Sequence, residues 1–148
     1  MKDGAIEKRQ SWKEQYALDI PSIDKQHMHF FKLFDKINSF DNKGVEYDQL
    51  IDYIDELEEY TTLHFRTEEA LMRKANFTNY DFHVEQHKLF SQKIKEFKID
   101  YNYKNLLLID KIVAFMRKWL IIHISEIDKQ YVSSVKNMMI ENNHIPDE

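Results

Sequence analysis

Four stretches of this chain repeat apolar residues at intervals of three and four, the spacing of a helix with one buried face. In the first, opened by Pro21-Ser22, Ile23, Phe30, Phe34 and Ile37 share a face with His27; proline is tolerated in a first turn and Ser22 is a candidate cap. In the second, from about Glu46 to Lys74, the seam is Leu50, Ile54, Leu57, Thr61, His64, Glu68 and Leu71. After a break at Ala75 to Asn79, where Thr78 and Asp81 resemble a capping box, a third helix sets His83, His87, Phe90, Ile94 and Phe97 on one stripe. The fourth carries Ile109, Ile112, Met116, Leu120 and His123. Asp41-Asn42-Lys43-Gly44 reads as a turn between the first two helices, and a second turn falls around Asp100 to Asn105.

Short connections between long amphipathic helices make neighbours antiparallel, so the expected fold is all-α: an up-down-up-down antiparallel four-helix bundle with an N-terminal arm. The whole chain, 1–148, reads as one domain, with the arm at 1–20, the bundle and a C-terminal helix at 21–142 and a tail at 143–148. Trp12, Tyr16 and Leu18 are the arm residues able to fold back over the body. Every seam contains histidine, and the topology gathers those histidines. At about 1.5 Å rise per residue, His27, His64, Glu68, His83, His87 and His123 all lie within roughly 15 Å of one end.

Composition narrows the picture. Two glycines and two prolines in 148 residues suit long helices and few tight turns, and the absence of cysteine removes disulfide scaffolds, zinc ribbons and thiol catalysis. A formal net charge of -5 argues against a nucleic-acid or anionic-membrane binder, both of which need a basic surface. The polar start, Met1 to Gln10, and the lack of any run of roughly 18 apolar residues make a cytoplasmic protein without a membrane span the expectation.

The gathered side chains carry the chemistry. A buried carboxylate without partners costs several kcal/mol or takes up a proton. Five imidazoles converging on one or two carboxylates would strand many donors and acceptors in an apolar interior, and a metal pair satisfies them together. His64 and Glu68 are four apart, as are His83 and His87, so each pair is offset by only about 40° around its helix. After His123 two carboxylates compete. Asp128, five residues on, would turn about 140° away in an unbroken helix, so it requires the helix to end or distort between Ser125 and Asp128; Glu126 is three on but less directly aimed. Spacing leaves that choice open.

The segments Ile23-Asp24-Lys25-Gln26-His27, His64-Phe65-Arg66-Thr67-Glu68, His83-Val84-Glu85-Gln86-His87 and Trp119-Leu120-Ile121-Ile122-His123-Ile124 followed by Asp128 resemble, in order, those of the hemerythrin family, in particular its single-domain bacterial members. The resemblance runs from Trp12 to about Tyr131 and implies reversible dioxygen binding at a non-heme di-iron centre, two iron ions joined by a bridging oxo or hydroxo oxygen. It implies that His83, His87 and His123 hold one iron, His27 and His64 the other, and that Glu68 and Asp128 bridge them; it thereby selects Asp128 over Glu126. One coordination position then remains open, on the iron with two histidines. Phe65, Trp119, Leu120 and Ile124 flank the ligands in sequence and are the candidate oxygen pocket, equally suited to plain core packing.

These features favour an oxygen carrier, storage or delivery protein over an enzyme, with weak oxidase or peroxidase activity, an iron-handling role or a sensor module as alternatives. Dioxygen is the one partner implied; no nucleic acid and no membrane are expected, and no protein partner is identified. Seven donors exceed what a tetrahedral zinc needs, and in His83-Val84-Glu85-Gln86-His87 the glutamate is third where zinc peptidases have it second. His29 falls on roughly the opposite side of its helix from His27, and Glu141 with His144 belongs to a chain end. Ala17-Leu18-Asp19-Ile20 stands where the family commonly has a glycine-containing turn.

Overall fold

A computed structural model describes residues 16–40 and 45–144. Trp12, the turn Asp41 to Gly44 and the segment 145–148 lie outside the described residues. Helix α1 spans Pro21–Asn38, α2 Val45–Lys74, α3 Tyr80–Asn102 and α4 Leu108–Trp119; a π-helical segment, Leu120–Ile127, and one 3-10 turn, Asp128–Tyr131, then carry the fourth rod into α5, Val132–His144. α1 packs on α2 and α4, α2 on α3, and α3 on α4, which closes the four rods into a ring, while α5 returns against α2. This is the antiparallel four-helix bundle that the spacing predicts, and the described residues contain no strand.

The helix ends differ from the sequence expectation in two places. Ile20, not Ser22, is the N-cap residue of α1, with proline in the first turn; no side chain caps it, and Asp24 Oδ1 instead accepts the Leu18 backbone N–H at 2.8 Å, tying the arm to the helix. The capping box of Thr78 and Asp81 does not form, because α3 starts at Tyr80 with Asn79 as cap residue, one position later than the box requires. Both helices begin where the chain leaves a packed apolar residue, Ile20 or Phe77, so tertiary burial sets the start and the local signal is overridden.

Two apolar clusters hold the rods together. The larger contains Phe30, Leu50, Leu57, Phe90, Ile112 and Met116; the smaller contains Leu18, Ile20, Ile23, Met72, Tyr131 and Val135. On every rod the histidines lie between a member of the one and a member of the other: Ile23, His27, Phe30 on α1, and Met116, His123, Tyr131 on the fourth. The polar end inferred from sequence is therefore a layer with an apolar floor. The arm supplies part of that floor through Leu18 and Ile20, and Tyr16 packs into the larger cluster.

Candidate metal centre

Seven buried side chains from all four rods meet in this layer. Nitrogens of His83, His87 and His123 with oxygens of Glu68 and Asp128 form one group, and His27 and His64 with the same two carboxylates form a second; within each group the donor atoms lie within 4.8 Å of one another. Glu68 and Asp128 are 0% exposed and none of the five imidazoles exceeds 4%. Asp128 Oδ1 is 3.0 Å from both His83 Nε2 and His123 Nε2, and its Oδ2 is 3.1 Å from His27 Nε2. Glu68 faces the other way, against His64 Nε2, with His83 Nε2 at 3.4 Å and His87 Nε2 at 4.0 Å. The two carboxylates thus each stand between the two sets of imidazoles.

Helix geometry explains the convergence. His64 with Glu68, and His83 with His87, are one turn apart on α2 and α3. On the fourth rod the π segment solves the five-residue spacing: the Asp128 N–H donates to the His123 carbonyl, an i to i+5 bond that brings positions five apart onto one face. The expected distortion begins earlier than Ser125, at Leu120, so His123 sits inside it. Glu126 is exposed and outside the cluster, and so is His29, which pairs with Glu56 at 3.2 Å.

The cluster has the marks of a cation site. Despite the short separations, both Glu68 oxygens, Asp128 Oδ1 and the Nε2 atoms of His83, His87 and His123 lack a partner in hydrogen-bonding geometry. Such orphans are costly unless something else satisfies them. Burial and the Asp128 charge push the Glu68 carboxyl up, but the His64 imidazole beside it outweighs them and holds it at about 2. Burial likewise works against ionisation of Asp128, yet His123, His27 and His83 hold it well below the usual carboxylate range. His83 loses basicity through burial and regains more from Asp128 and Glu68, ending at about 9, whereas burial dominates at His87 and lowers it. Two carboxylates thus stay ionised at zero exposure, held by imidazoles whose ring nitrogens point to shared centres. Five imidazole nitrogens and two carboxylates fit a pair of transition-metal ions.

A second layer, absent from the sequence reading, orients the imidazoles. His64 Nδ1 lies 2.6 Å from Gln26 Oε1, and Gln26 in turn donates to Thr67 Oγ1 at 3.2 Å. The Tyr60 hydroxyl donates to the Gln26 backbone carbonyl, and burial raises its pKa. His87 Nδ1 faces Glu69 Oε2 at 2.8 Å. Tyr131, fully buried with its ring 5.5 Å from His83, has its pKa pushed well up by burial and by the carboxylates. Gln26 and Glu69 are sequence neighbours of His27 and Glu68, and that adjacency was the available signal.

Of the four pocket candidates, Phe65 lies parallel on His87 at 3.9 Å and Trp119 parallel on His123 at 3.8 Å, while Leu120 and Ile124 are buried at 2% in the larger core cluster. The two rings therefore cover imidazoles of the three-histidine group. A cavity of about 280 Å³ reaches Trp119 and His123 between α3 and α4, lined also by Phe90, Phe115 and Ile122. A cleft of about 470 Å³ between the arm and α1, lined by Tyr16, Asp19, Pro21, Met28 and Phe31, reaches His27 of the two-histidine group.

The chain is similar to known proteins of one family. The family model described as Hemerythrin HHE cation binding domain matches residues 18–134. The chain is 30% identical over 132 residues to bacteriohemerythrin of Clostridium acetobutylicum, covering 82% of this chain and 97% of that protein. It is 28% identical to bacteriohemerythrin of Pseudomonas aeruginosa over 130 residues, 88% and 84% of the two chains, and 30% identical to myohemerythrin of Riftia pachyptila over 122 residues, 81% and 88%. Crystal structures of two point mutants of hemerythrin superpose with a TM-score of 0.74 at 21% identity, covering 82% of this chain and 92% of theirs. No helix among the described residues is long and apolar enough to cross a membrane.

Proposed function

The chain belongs to the hemerythrin family, and from that premise we propose that His83, His87 and His123 hold one iron, His27 and His64 a second, and that Glu68 and Asp128 bridge them in a centre that binds dioxygen reversibly. The observation that carries this assignment is the sharing of both buried carboxylates between the two groups of imidazoles. When bound, a ferrous pair supplies the electrons that dioxygen takes up on binding and hands back on release. The chain's own residues do the rest. With three imidazoles on one side and two on the other, the His27 and His64 side has fewer protein donors and would be the one to accept a ligand, and the cleft beside His27 supports access from there. Phe65 and Trp119, stacked on His87 and His123, together with the buried Leu120 and Ile124, supply the apolar lining proposed for the oxygen pocket and keep water from the centre.

The donor set favours a binder over an oxidising enzyme. Di-iron carboxylate proteins of the ferritin-like kind are built from glutamates with Glu-x-x-His pairs, and their negative charge supports high oxidation states. Five imidazoles and two carboxylates carry less. Carrier, storage and delivery all follow from the same site.

Iron analysis with absorption spectra of the reduced protein, before and after air, tests the reading. Two irons per chain and a visible band that appears with oxygen and vanishes when oxygen is withdrawn are the expected result. One metal per chain, or irreversible oxidation with steady turnover of an added reductant, would reject it.

A further inference from the structure

If the reading above holds, the centre has a standing weakness: dioxygen that leaves as hydrogen peroxide, with two electrons from the metal pair and two protons from solvent, would leave both irons ferric and unable to bind further oxygen. The chain has no cysteine to store reducing equivalents, so electrons must come from another molecule that approaches one face. The structure distinguishes one face. Between α1 and α2 lies a groove of about 500 Å³ edged by Lys25, Lys32 and Lys36, with Tyr53 in its wall and Glu56 its one acidic lining residue. The three lysines are seven and four apart, hence one stripe along α1. Glu56 is itself engaged by His29 at 3.2 Å. This is a cationic strip on a chain of formal net charge -5.

Beneath the groove, packed rings lead inward. His29, whose side chain is 49% exposed, lies 4.8 Å from the Tyr60 ring, and Tyr60 lies parallel over His64 at 5.6 Å. Surface and metal ligand are thus separated by a single aromatic layer. Electron tunnelling falls off steeply with distance and falls off less through packed atoms than across gaps, so a donor seated in this groove meets a short, filled path. Tyr60 does not need to lose its proton for this role. Its hydroxyl is committed to a peptide carbonyl, a poor base, so the ring acts as a bridging medium.

We propose that the lysine-edged groove between α1 and α2 is the docking surface for an acidic one-electron carrier protein, which reduces the ferric centre through Tyr60 and His64. Each docking oxidises the carrier by one electron and converts one Fe(III) to Fe(II); two dockings restore the ferrous pair. The opposite charges of strip and carrier favour encounter, an effect that acts mainly on the association rate and weakens with salt. The proposal rests on the di-iron reading but adds a partner class and a place.

A reduced plant-type ferredoxin serves as the acidic probe. In stopped-flow reduction of the iron-loaded ferric protein, the pair Lys32→Glu and Lys36→Glu is expected to slow the bimolecular step about tenfold or more at low salt, with the gap closing as ionic strength rises. Reduction by photoreduced riboflavin, which needs no cationic strip, stays at the parent's rate. Carbodiimide cross-linking of the oxidised ferredoxin, mapped by mass spectrometry, should fall on Lys25, Lys32 and Lys36. Tyr60→Leu, which removes the ring between His29 and His64, should slow reduction by ferredoxin more than Tyr60→Phe, which keeps the ring. Equal ferredoxin rates for the reversed-charge variant and the parent, or cross-links on α3 and α4, would overturn the docking surface; a parent-like rate in Tyr60→Leu would overturn the path. The cross-linking reads docking without any redox step, so a parent that fails to hold two irons defeats the di-iron reading separately.

Discussion

Gln26 places its side-chain oxygen 2.6 Å from Nδ1 of His64, so the residue next to one imidazole in sequence fixes the ring of another across the bundle. The contact sets which His64 nitrogen is free to face the cluster, and Thr67 anchors the Gln26 amide in turn. Outer partners of this kind typically govern metal affinity by 10–100-fold. Gln26→Leu is expected to lower affinity for one of the two metals by about that factor while the helical signal in circular dichroism is kept. A competition titration against a chromophoric chelator measures it, and two unchanged binding steps would show that Gln26 does not orient His64.

Removing the metal leaves two ionised carboxylates and five imidazoles facing one another at zero to 4% exposure. Any ion that binds this cluster in the folded chain and not in the unfolded one stabilises the fold by mass action, about 2.7 kcal/mol at a free concentration 100 times Kd. For a chain of this length that corresponds to roughly 5 to 10 °C in melting temperature. Calorimetry of the stripped protein across an iron titration is expected to show the melt climbing in step. A melt indifferent to iron would mean that the seven side chains satisfy one another without it.

Ile54 and Glu68 are both 0% exposed on α2, yet their replacement should fail in opposite ways. Ile54 packs in the larger cluster, about 15 Å from His64 along the helix. Ile54→Ala opens a cavity and is expected to cost about 2–4 kcal/mol in denaturant unfolding with metal stoichiometry intact. Glu68→Ala takes a shared donor from both groups and should abolish retention of the metal pair. Retention of both metals by Glu68→Ala would sink the assignment of the bridging carboxylates.

How much of this was legible in the sequence follows from where the information is local. The three-and-four spacing of His64, Glu68 and Leu71 and of His83, His87 and Phe90 fixes a buried face whatever the neighbours are, and topology then brings the faces together. The π segment was half legible: Asp128, five after His123, demanded a distortion, but where it begins depends on how Leu120 and Ile124 pack against other rods. The cap residues were misplaced because Ser22 and Thr78 are local preferences overruled by burial of Ile20 and Phe77. Gln26 and Glu69 were legible only as neighbours of His27 and Glu68, and their partners, like that of Tyr60, were not, since each reaches across to a different helix that local spacing does not report. The floor of Met72, Tyr131 and Val135 was missed for a related reason: single apolar residues beyond a polar layer look like ordinary helix ends.

Lys104 offers a test of the backbone alone, at the turn between α3 and α4, the end of the bundle away from the histidines. Its φ is 53°, in the left-handed region where a Cβ crowds the following carbonyl. The turn is a Schellman arrangement: the Asn105 N–H donates to the Asp100 carbonyl at 3.2 Å and the Lys104 N–H to Tyr101 at 3.0 Å. Glycine is the residue this position suits, and lysine stays there because the hydrogen bonds and the buried Leu108 that follows hold it. Lys104→Gly relieves about 1–2 kcal/mol of crowding but frees the unfolded chain, which returns part of the gain. The expected net is about 0.5–1 kcal/mol of added stability, a melt roughly 1–4 °C higher at unchanged metal content. Asn76, at φ 54° in the matching turn after α2, is the internal control: a short amide tolerates that region, so Asn76→Gly should gain less. Equal shifts for the two variants, or a lower melt for Lys104→Gly, would show that the lysine side chain contributes more at this turn than its backbone costs.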